Sequence, residues 1–132
     1  MIFTDAELAY FQTQSLGRLA TLADDGTLQN NAVRYYANTD IGTIDIDGWN
    51  LGASRKFRNV ARTGEVAFVI DDITSADPWK VRGVEIRGRA EALTGQERRS
   101  EHVSAELIRI RPRTLFSWGI EPDAAGMTRR SA

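Results

Sequence analysis

The stretch Ser54-Arg55-Lys56-Phe57-Arg58-Asn59-Val60-Ala61-Arg62-Thr63-Gly64 gathers cations where a helix does not favour them. Ser54 suits a helix N-cap, because its hydroxyl can accept a hydrogen bond from a free N–H of the first turn. Phe57, Val60 and Ala61 fall at i, i+3 and i+4 and make one apolar face. Gly64 can take the left-handed conformation that ends a helix. A helix N-terminus carries partial positive charge and favours Asp or Glu in its first turn, yet this one brings Arg55, Lys56 and Arg58. Free N–H groups, a hydroxyl and two or three cations together fit a site for a phosphate or similar anion. The same residues also fit solvated side chains, tolerated at a few tenths of a kcal/mol each. On this feature alone both readings stay open.

The remaining chemical candidates are thinner. Trp79, after Pro78, can stack on a flat ring or seal a loop or subunit contact, and Trp49 is similar with less support. Arg82 beside Gly83 can reach an anion or sit solvated at a strand end, and Trp118 reads as core. Asp24-Asp25 and Asp71-Asp72 lie at turn signals, where Asp serves the backbone. With no cysteine and the single histidine His102, no metal centre and no thiolate chemistry are expected. No catalytic acid or base stands out.

The totals narrow the classes further. The 132 residues suit one domain, and 42% hydrophobic with 27% charged residues is ordinary globular composition. A net charge of −1 gives no general pull towards nucleic acid. Arg98, Arg99, Arg109, Arg111 and Arg113 are interleaved with Glu97, Glu101 and Glu106, so nucleic acid is not an expected partner. No apolar run approaches the roughly 20 residues of a membrane helix, and no signal-peptide pattern opens the chain. A cytoplasmic location away from membranes is the expectation.

These side chains need positioning elements. Thr4 and Glu7 form a capping box for a helix running to about Ser15, with Leu8 and Phe11 inward. Residues 18–23 and 28–37 read as a hairpin around Asp24-Asp25-Gly26, with Asn31, Val33 and Tyr35 on one face. Thr43 to Asp47 alternates as a third strand. Val66 to Ile70 is apolar on both faces, as a central strand is. Residues 71–79 read as a polar loop. Val81 to Leu93 alternates strictly, Val84, Ile86, Gly88, Ala90 and Ala92 against Glu85, Arg87, Arg89 and Glu91. Thr94-Gly95-Gln96-Glu97 could cap a short polar helix. Leu107 to Arg111 and Thr114 to Trp118 are the last strands. Six or seven antiparallel strands with short helices predict a mainly β fold, a barrel with helices at its ends. Residues 1–121 form the single domain, and 122–132, with little to bury, are expected to be a flexible tail.

In this order the elements resemble the flavin-binding split barrel of the pyridoxamine 5'-phosphate oxidase superfamily, and within it the actinobacterial branch that uses the deazaflavin coenzyme F420. The resemblance is carried by Leu16-Gly17-Arg18-Leu19-Ala20-Thr21, Gly42-Thr43-Ile44-Asp45-Ile46 and Ser54-Arg55-Lys56-Phe57-Arg58-Asn59-Val60. It continues through Asp71-Asp72, Asp77-Pro78-Trp79, Arg82 to Glu91, Ile108-Arg109-Ile110 and Ser117-Trp118-Gly119-Ile120-Glu121. It implies that Ser54, Arg55 and Lys56 bind a cofactor phosphate and that Asn31 and Val33 flank the flavin or deazaflavin ring. It also implies that the Trp79 loop, with Arg82 beyond it, approaches the cofactor, and that the protein is a homodimer with its sites at the interface.

The departures sharpen this expectation. Where true pyridoxamine phosphate oxidases carry an Arg and a Lys on the second strand, this chain has Asn31 and Tyr36. The C-terminal Trp and Arg/His motif that holds pyridoxal has no counterpart. The expected activity is hydride transfer between reduced coenzyme F420 and a small organic acceptor, an enone or quinone-like compound, and not pyridoxamine oxidation. The alternatives on the same scaffold are an FMN-dependent reductase or oxidase, or a non-catalytic flavin, deazaflavin or haem binder.

Overall fold

The computed structural model describes residues 2–121 and 126–132. Helix α1 (Asp5–Phe11) opens with the expected capping box: Thr4 Oγ1 accepts the Glu7 N–H at 3.1 Å and Glu7 Oε1 accepts the Thr4 N–H at 3.0 Å. It stops short of Ser15 because the Tyr10 carbonyl is taken by the Thr13 N–H and hydroxyl, and the Phe11 and Gln14 carbonyls by the Tyr35 hydroxyl.

Eight strands follow: β1 (Gly17–Leu22), β2 (Leu28–Val33), β3 (Tyr36–Asn38), β4 (Thr43–Ile46), β5 (Glu65–Ala76), β6 (Trp79–Leu93), β7 (Leu107–Trp118) and β8 (Met127–Ser131). Helix α2 (Arg55–Arg62) lies between β4 and β5, entered through a 3₁₀ turn at Leu51–Ala53. All pairings are antiparallel, in the order β2-β1-β5-β6-β7-β4-β3, with β8 added beside β7. The end strands β2 and β3 are consecutive in the chain, joined only by Arg34 and Tyr35. The sheet therefore has to curl until its edges meet at that link, which makes the barrel. Its interior is filled by Leu19, Ile44, Ile46, Phe68, Ile70, Val84, Ile86, Ile108, Ile110 and Leu115, all at most 1% exposed.

Several expectations are corrected. The run 28–37 is not one strand: β2 pairs with β1 and β3 with β4, and the chain changes partner where the Tyr35 ring meets Phe68 edge-on. The polar loop at 71–79 is instead an extension of the β5–β6 ladder to Ala76↔Trp79, since cross-strand pairing satisfies its backbone better than a loop would. No helix forms in 94–106, which has too few apolar residues for a buried stripe and is held by Gln96–Ala105 and Ser104–Gly48 backbone bonds. Pro112 does not split β7. A register shift beside the Gly88↔Pro112 pair absorbs the missing N–H, and Gly88 is needed there because a Cβ would lie 2.1 Å from the Arg111 carbonyl oxygen. The tail is ordered over β8, because Arg130 finds a buried partner in Glu7; residues 122–125 lie outside the described residues.

The alternation on β4 misleads as well. Asp45 is fully buried, not solvent-facing, and its carboxylate takes two N–H groups from Arg109 at 2.9 and 3.1 Å and the Thr43 hydroxyl at 2.8 Å. On β6 the alternation holds: Val84, Ile86, Gly88 and Ala90 are buried while Arg87, Arg89 and Glu91 are exposed. The charged stripe pairs across strands, Arg89 with Glu65 and Arg111 with Glu91, which at such exposure is worth about 0.2–1 kcal/mol per pair.

Candidate functional site

Helix α2 starts as its sequence dictates. Ser54 Oγ accepts the Phe57 N–H at 3.2 Å and donates to the Leu51 carbonyl at 2.6 Å, and Gly64, at φ +69°, ends the helix. Phe57 and Val60 are buried as expected, but Ala61 is exposed and Asn59 takes its place inside. Arg58 bends back towards the N-terminal end of the helix and donates to the Ala53 carbonyl at 2.9 Å. Arg62 pairs with Asp24 at 3.5 Å, while Arg55 and Lys56 have no carboxylate partner among the described residues. Asp25, in the β1–β2 turn, titrates below its ordinary value mainly because the Thr27 hydroxyl and amide hydrogen-bond to it; the charge of Arg55 adds the least.

In front of α2 lies a groove of about 320 Å³ walled by Ala32, Val33, Arg34, Asp47, Gly48, Trp49, Lys56, His102 and Val103. Val33 and Lys56, assigned from opposite ends of the sequence argument, meet here. Arg34 adds a second cation, and Trp49, 83% exposed, stands with its ring open to a ligand. The wall is rigid. The Leu51 N–H donates to Ser104 Oγ and the Gly52 N–H to Glu106 Oε1, both at 3.0 Å, so the 94–106 segment is tied to the turn that leads into α2.

Asn31 lies two residues along from Val33 on the same face of β2. Its Oδ1 is sealed from solvent and, among the described residues, is the one buried side-chain polar atom without a hydrogen-bond partner. A lone buried acceptor costs about 1–3 kcal/mol, but Asn31 is not among the residues that wall the groove. The cations Arg34 and Lys56 with the walls offered by Val33 and Trp49 fit an anionic ligand carrying a flat ring, which describes a flavin or deazaflavin.

The structure does not bring Trp79 or Arg82 to this groove. Trp79, 66% exposed, borders a separate hollow of about 680 Å³ with Thr74, Lys80, Val81, Trp118 and Met127. Arg82 binds Asp72 through two N–H groups at 2.8 and 3.1 Å, and its guanidinium lies 4.9 Å from the centre of the Tyr10 ring. The Tyr10 hydroxyl donates to the same carboxylate at 2.8 Å. Burial and that carboxylate push the Tyr10 hydroxyl well above the usual phenol range, and Arg82 is committed to a structural cluster.

Solved structures share this architecture. A conserved hypothetical protein of Mycobacterium tuberculosis superposes with a TM-score of 0.67 at 23% identity, covering 94% of this chain and 92% of the other. An FAD-binding protein of Mycobacterium smegmatis gives 0.63 at 17%, covering 88% and 94%. A protein of Corynebacterium glutamicum proposed to be a pyridoxamine 5'-phosphate oxidase gives 0.59 at 18%, covering 87% and 88%. At these identities the likeness is one of fold. A reductase of 5a,11a-dehydrotetracycline and 5a,11a-dehydrooxytetracycline from Streptomyces rimosus is 48% identical over 124 residues, 93% of this chain and 87% of that protein. The chain belongs to the same family as this reductase, and its fold is that of the pyridoxamine 5'-phosphate oxidase-like split barrels. No protein-family model matches it.

Within this split barrel, sequence reasoning missed Asn59, Gln29 and Thr21, which join α2 to the sheet. Asn59, 3% exposed, donates through Nδ2 to Thr21 Oγ1 at 3.0 Å and Gln29 Oε1 at 3.3 Å. Periodicity places a polar residue outside, so it carried no signal. Trp49, the weaker of the two ring-stacking candidates, and His102, a lone histidine in a polar segment, both line the groove.

Proposed function

We propose that this protein is a reductase that uses the deazaflavin coenzyme F420 to saturate a conjugated carbon–carbon double bond in a polycyclic enone. The carrying observation is the 48% identity, over nearly the whole chain, to a reductase of dehydrotetracyclines. Support comes from Lys56, which lines the groove, and from Arg55, the first residue of α2, both without carboxylate partners among the described residues. A bound reduced deazaflavin would supply the hydride to one alkene carbon, and a proton from solvent would complete the reduction at the other. The chain's own part is to bind and align: helix amides and cations hold the anionic end, and Val33 with Trp49 offers apolar walls to the ring. Alignment of this kind supplies most of the rate in such a transfer.

The active form in this reading is a homodimer. Support comes from the β5–β6 arm, where Ile73, Trp79 and Val81 are exposed at 56%, 66% and 37%, a concentration of apolar surface that marks contact sites. Trp79 would then reach the groove of a second copy. No helix among the described residues is long and apolar enough to cross a membrane, and the absence of cysteine suits work in the cytoplasm.

Titration of the purified protein with coenzyme F420 and, in parallel, FMN, followed by fluorescence or calorimetry, tests the cofactor. Preference for F420, then consumption of the reduced coenzyme on addition of a dehydrotetracycline, is the expected result. Preference for FMN would move the activity to flavin reductase or oxidase chemistry on the same fold. Binding of neither would overturn the reading.

A further inference from the structure

We propose that a second hollow, between α1 and β3, seats the electron acceptor, holding one end of a polycyclic ring system edged with ketone and phenol groups. This rests on the reading above. The hollow measures about 390 Å³, within the roughly 300–1,000 Å³ of small-molecule sites. Its chemistry is unlike that of the groove before α2. Arg34, Asp47, Lys56 and His102 wall the groove with groups that carry or can take up charge. No charged side chain lines the hollow. Leu8, Phe11 and Ala37 give it an apolar floor, and Gln12 and Thr39, both exposed, edge it with an amide and a hydroxyl. Apolar and aromatic walls hold a flat ring system, while amides donate to ketones and accept from phenols. A fully charged ligand end would find no counter-ion there.

The hollow is held open by the fold. The Tyr35 hydroxyl is bonded to the Phe11 carbonyl at 2.6 Å and the Gln14 carbonyl at 3.0 Å, which ties the end of α1 to the link between β2 and β3. Tyr36, on the opposite wall, has the Arg99 guanidinium 3.5 Å from the centre of its ring, a cation–π contact that fixes the ring. The segment carrying Arg99 also brings His102 and Val103 to the groove. Tyr36 thus stands between the two spaces. Val33 in the groove and Tyr36 in the hollow are three residues apart, so their Cα atoms lie within roughly 11 Å of each other. A molecule of several fused rings bridges such a span, one end held in the hollow and the double bond carried towards the groove. Choice among acceptors then lies with α1 and β3, apart from the residues that hold the cofactor.

The test combines binding and turnover on the intact protein. Tetracycline, whose own fluorescence reports binding, is titrated into wild type, Ala37→Phe and Gln12→Arg. The first change fills the floor; the second puts a charge on the rim at an exposed position, where the fold tolerates it. Both are expected to weaken tetracycline binding about tenfold or more, to raise KM for 5a,11a-dehydrotetracycline by a similar factor, and to leave the affinity for coenzyme F420 as in wild type. Undiminished tetracycline binding by Gln12→Arg would overturn the assignment, and so would a wild type that binds no tetracycline. A parallel loss of F420 affinity would show that the changes act through the groove, and would overturn it too. Reduction of dehydrotetracycline with KM unchanged in Gln12→Arg would remove the hollow and leave the reductase reading standing. Tetracycline binding weakened by the changes, with no reduction by wild type, would keep the site and overturn the reductase reading.

Discussion

Two polar regions of this barrel are built to opposite rules. In the clasp between α1 and β8, Glu7 is 1% exposed, and its carboxylate is bonded by the Thr4 N–H, the Ser117 hydroxyl and both terminal nitrogens of Arg130. Arg130 also donates to the Ile2 carbonyl at 2.7 Å. Burial pushes the Glu7 carboxyl up, but Arg130, the Thr4 amide and Ser117 together win and hold it below its ordinary value. At the start of α2, Arg55 and Lys56 lack carboxylates and, on β2, Asn31 Oδ1 lacks a donor, among the described residues. Buried charge survives only when paired and hydrogen-bonded. The clasp satisfies its polar atoms fully, whereas the groups beside α2 and on β2 are left short.

The comparison breaks if both regions respond alike to mutation. Glu7→Ala strands Arg130 and the Thr4 N–H and is expected to cost about 3–5 kcal/mol of stability, read as a lower urea midpoint; a loss under 1 kcal/mol would mean the clasp is idle. The Arg55→Ala/Lys56→Ala double change is expected to weaken cofactor binding by a few kcal/mol, at about 1.5–3 kcal/mol per charged hydrogen bond. It should move stability by no more than about 0.5 kcal/mol, so unchanged affinity would sink the anion site.

Acid titration sharpens the same contrast. The folded Glu7 titrates below its ordinary value of 4.5, so its contribution is present above that pH and is lost as pH falls through the folded value. Glu7→Gln is expected to flatten the acid limb of the stability curve relative to wild type, measured by urea unfolding from pH 6 down to 3. Smallest of all, Trp79→Ala should change monomer stability by roughly 0.5 kcal/mol or less, as for an exposed residue, while lowering the fraction of dimer in sedimentation equilibrium.

Much of the barrel was legible because its core is periodic. The β6 alternation and the Thr4 and Ser54 caps are local patterns, and each appears in the structure where the residues place it. What was hidden depends on partners far along the chain. Asp45 looks solvent-facing until Arg109 arrives to bury it, and β8 looks like a tail until Glu7 is considered. Near α2, the Ser54 cap marked the helix start, and Lys56 and Val33 line one groove. Arg82 was drawn off by Asp72, Trp49 was legible only as a weaker aromatic candidate, and Asn59 and His102 gave no local signal.

The clasp has a consequence for how the molecule is made. Glu7 and Arg130 lie 123 residues apart. A ribosome adding about 5–20 residues per second needs roughly 6–25 s to travel between them. Throughout that interval the nascent helix carries a carboxylate whose counter-ion has not yet been synthesised. Closure of the clasp thus waits until Arg130 has been made, and a chain that stalls before it leaves the seam between α1 and β7 uncovered.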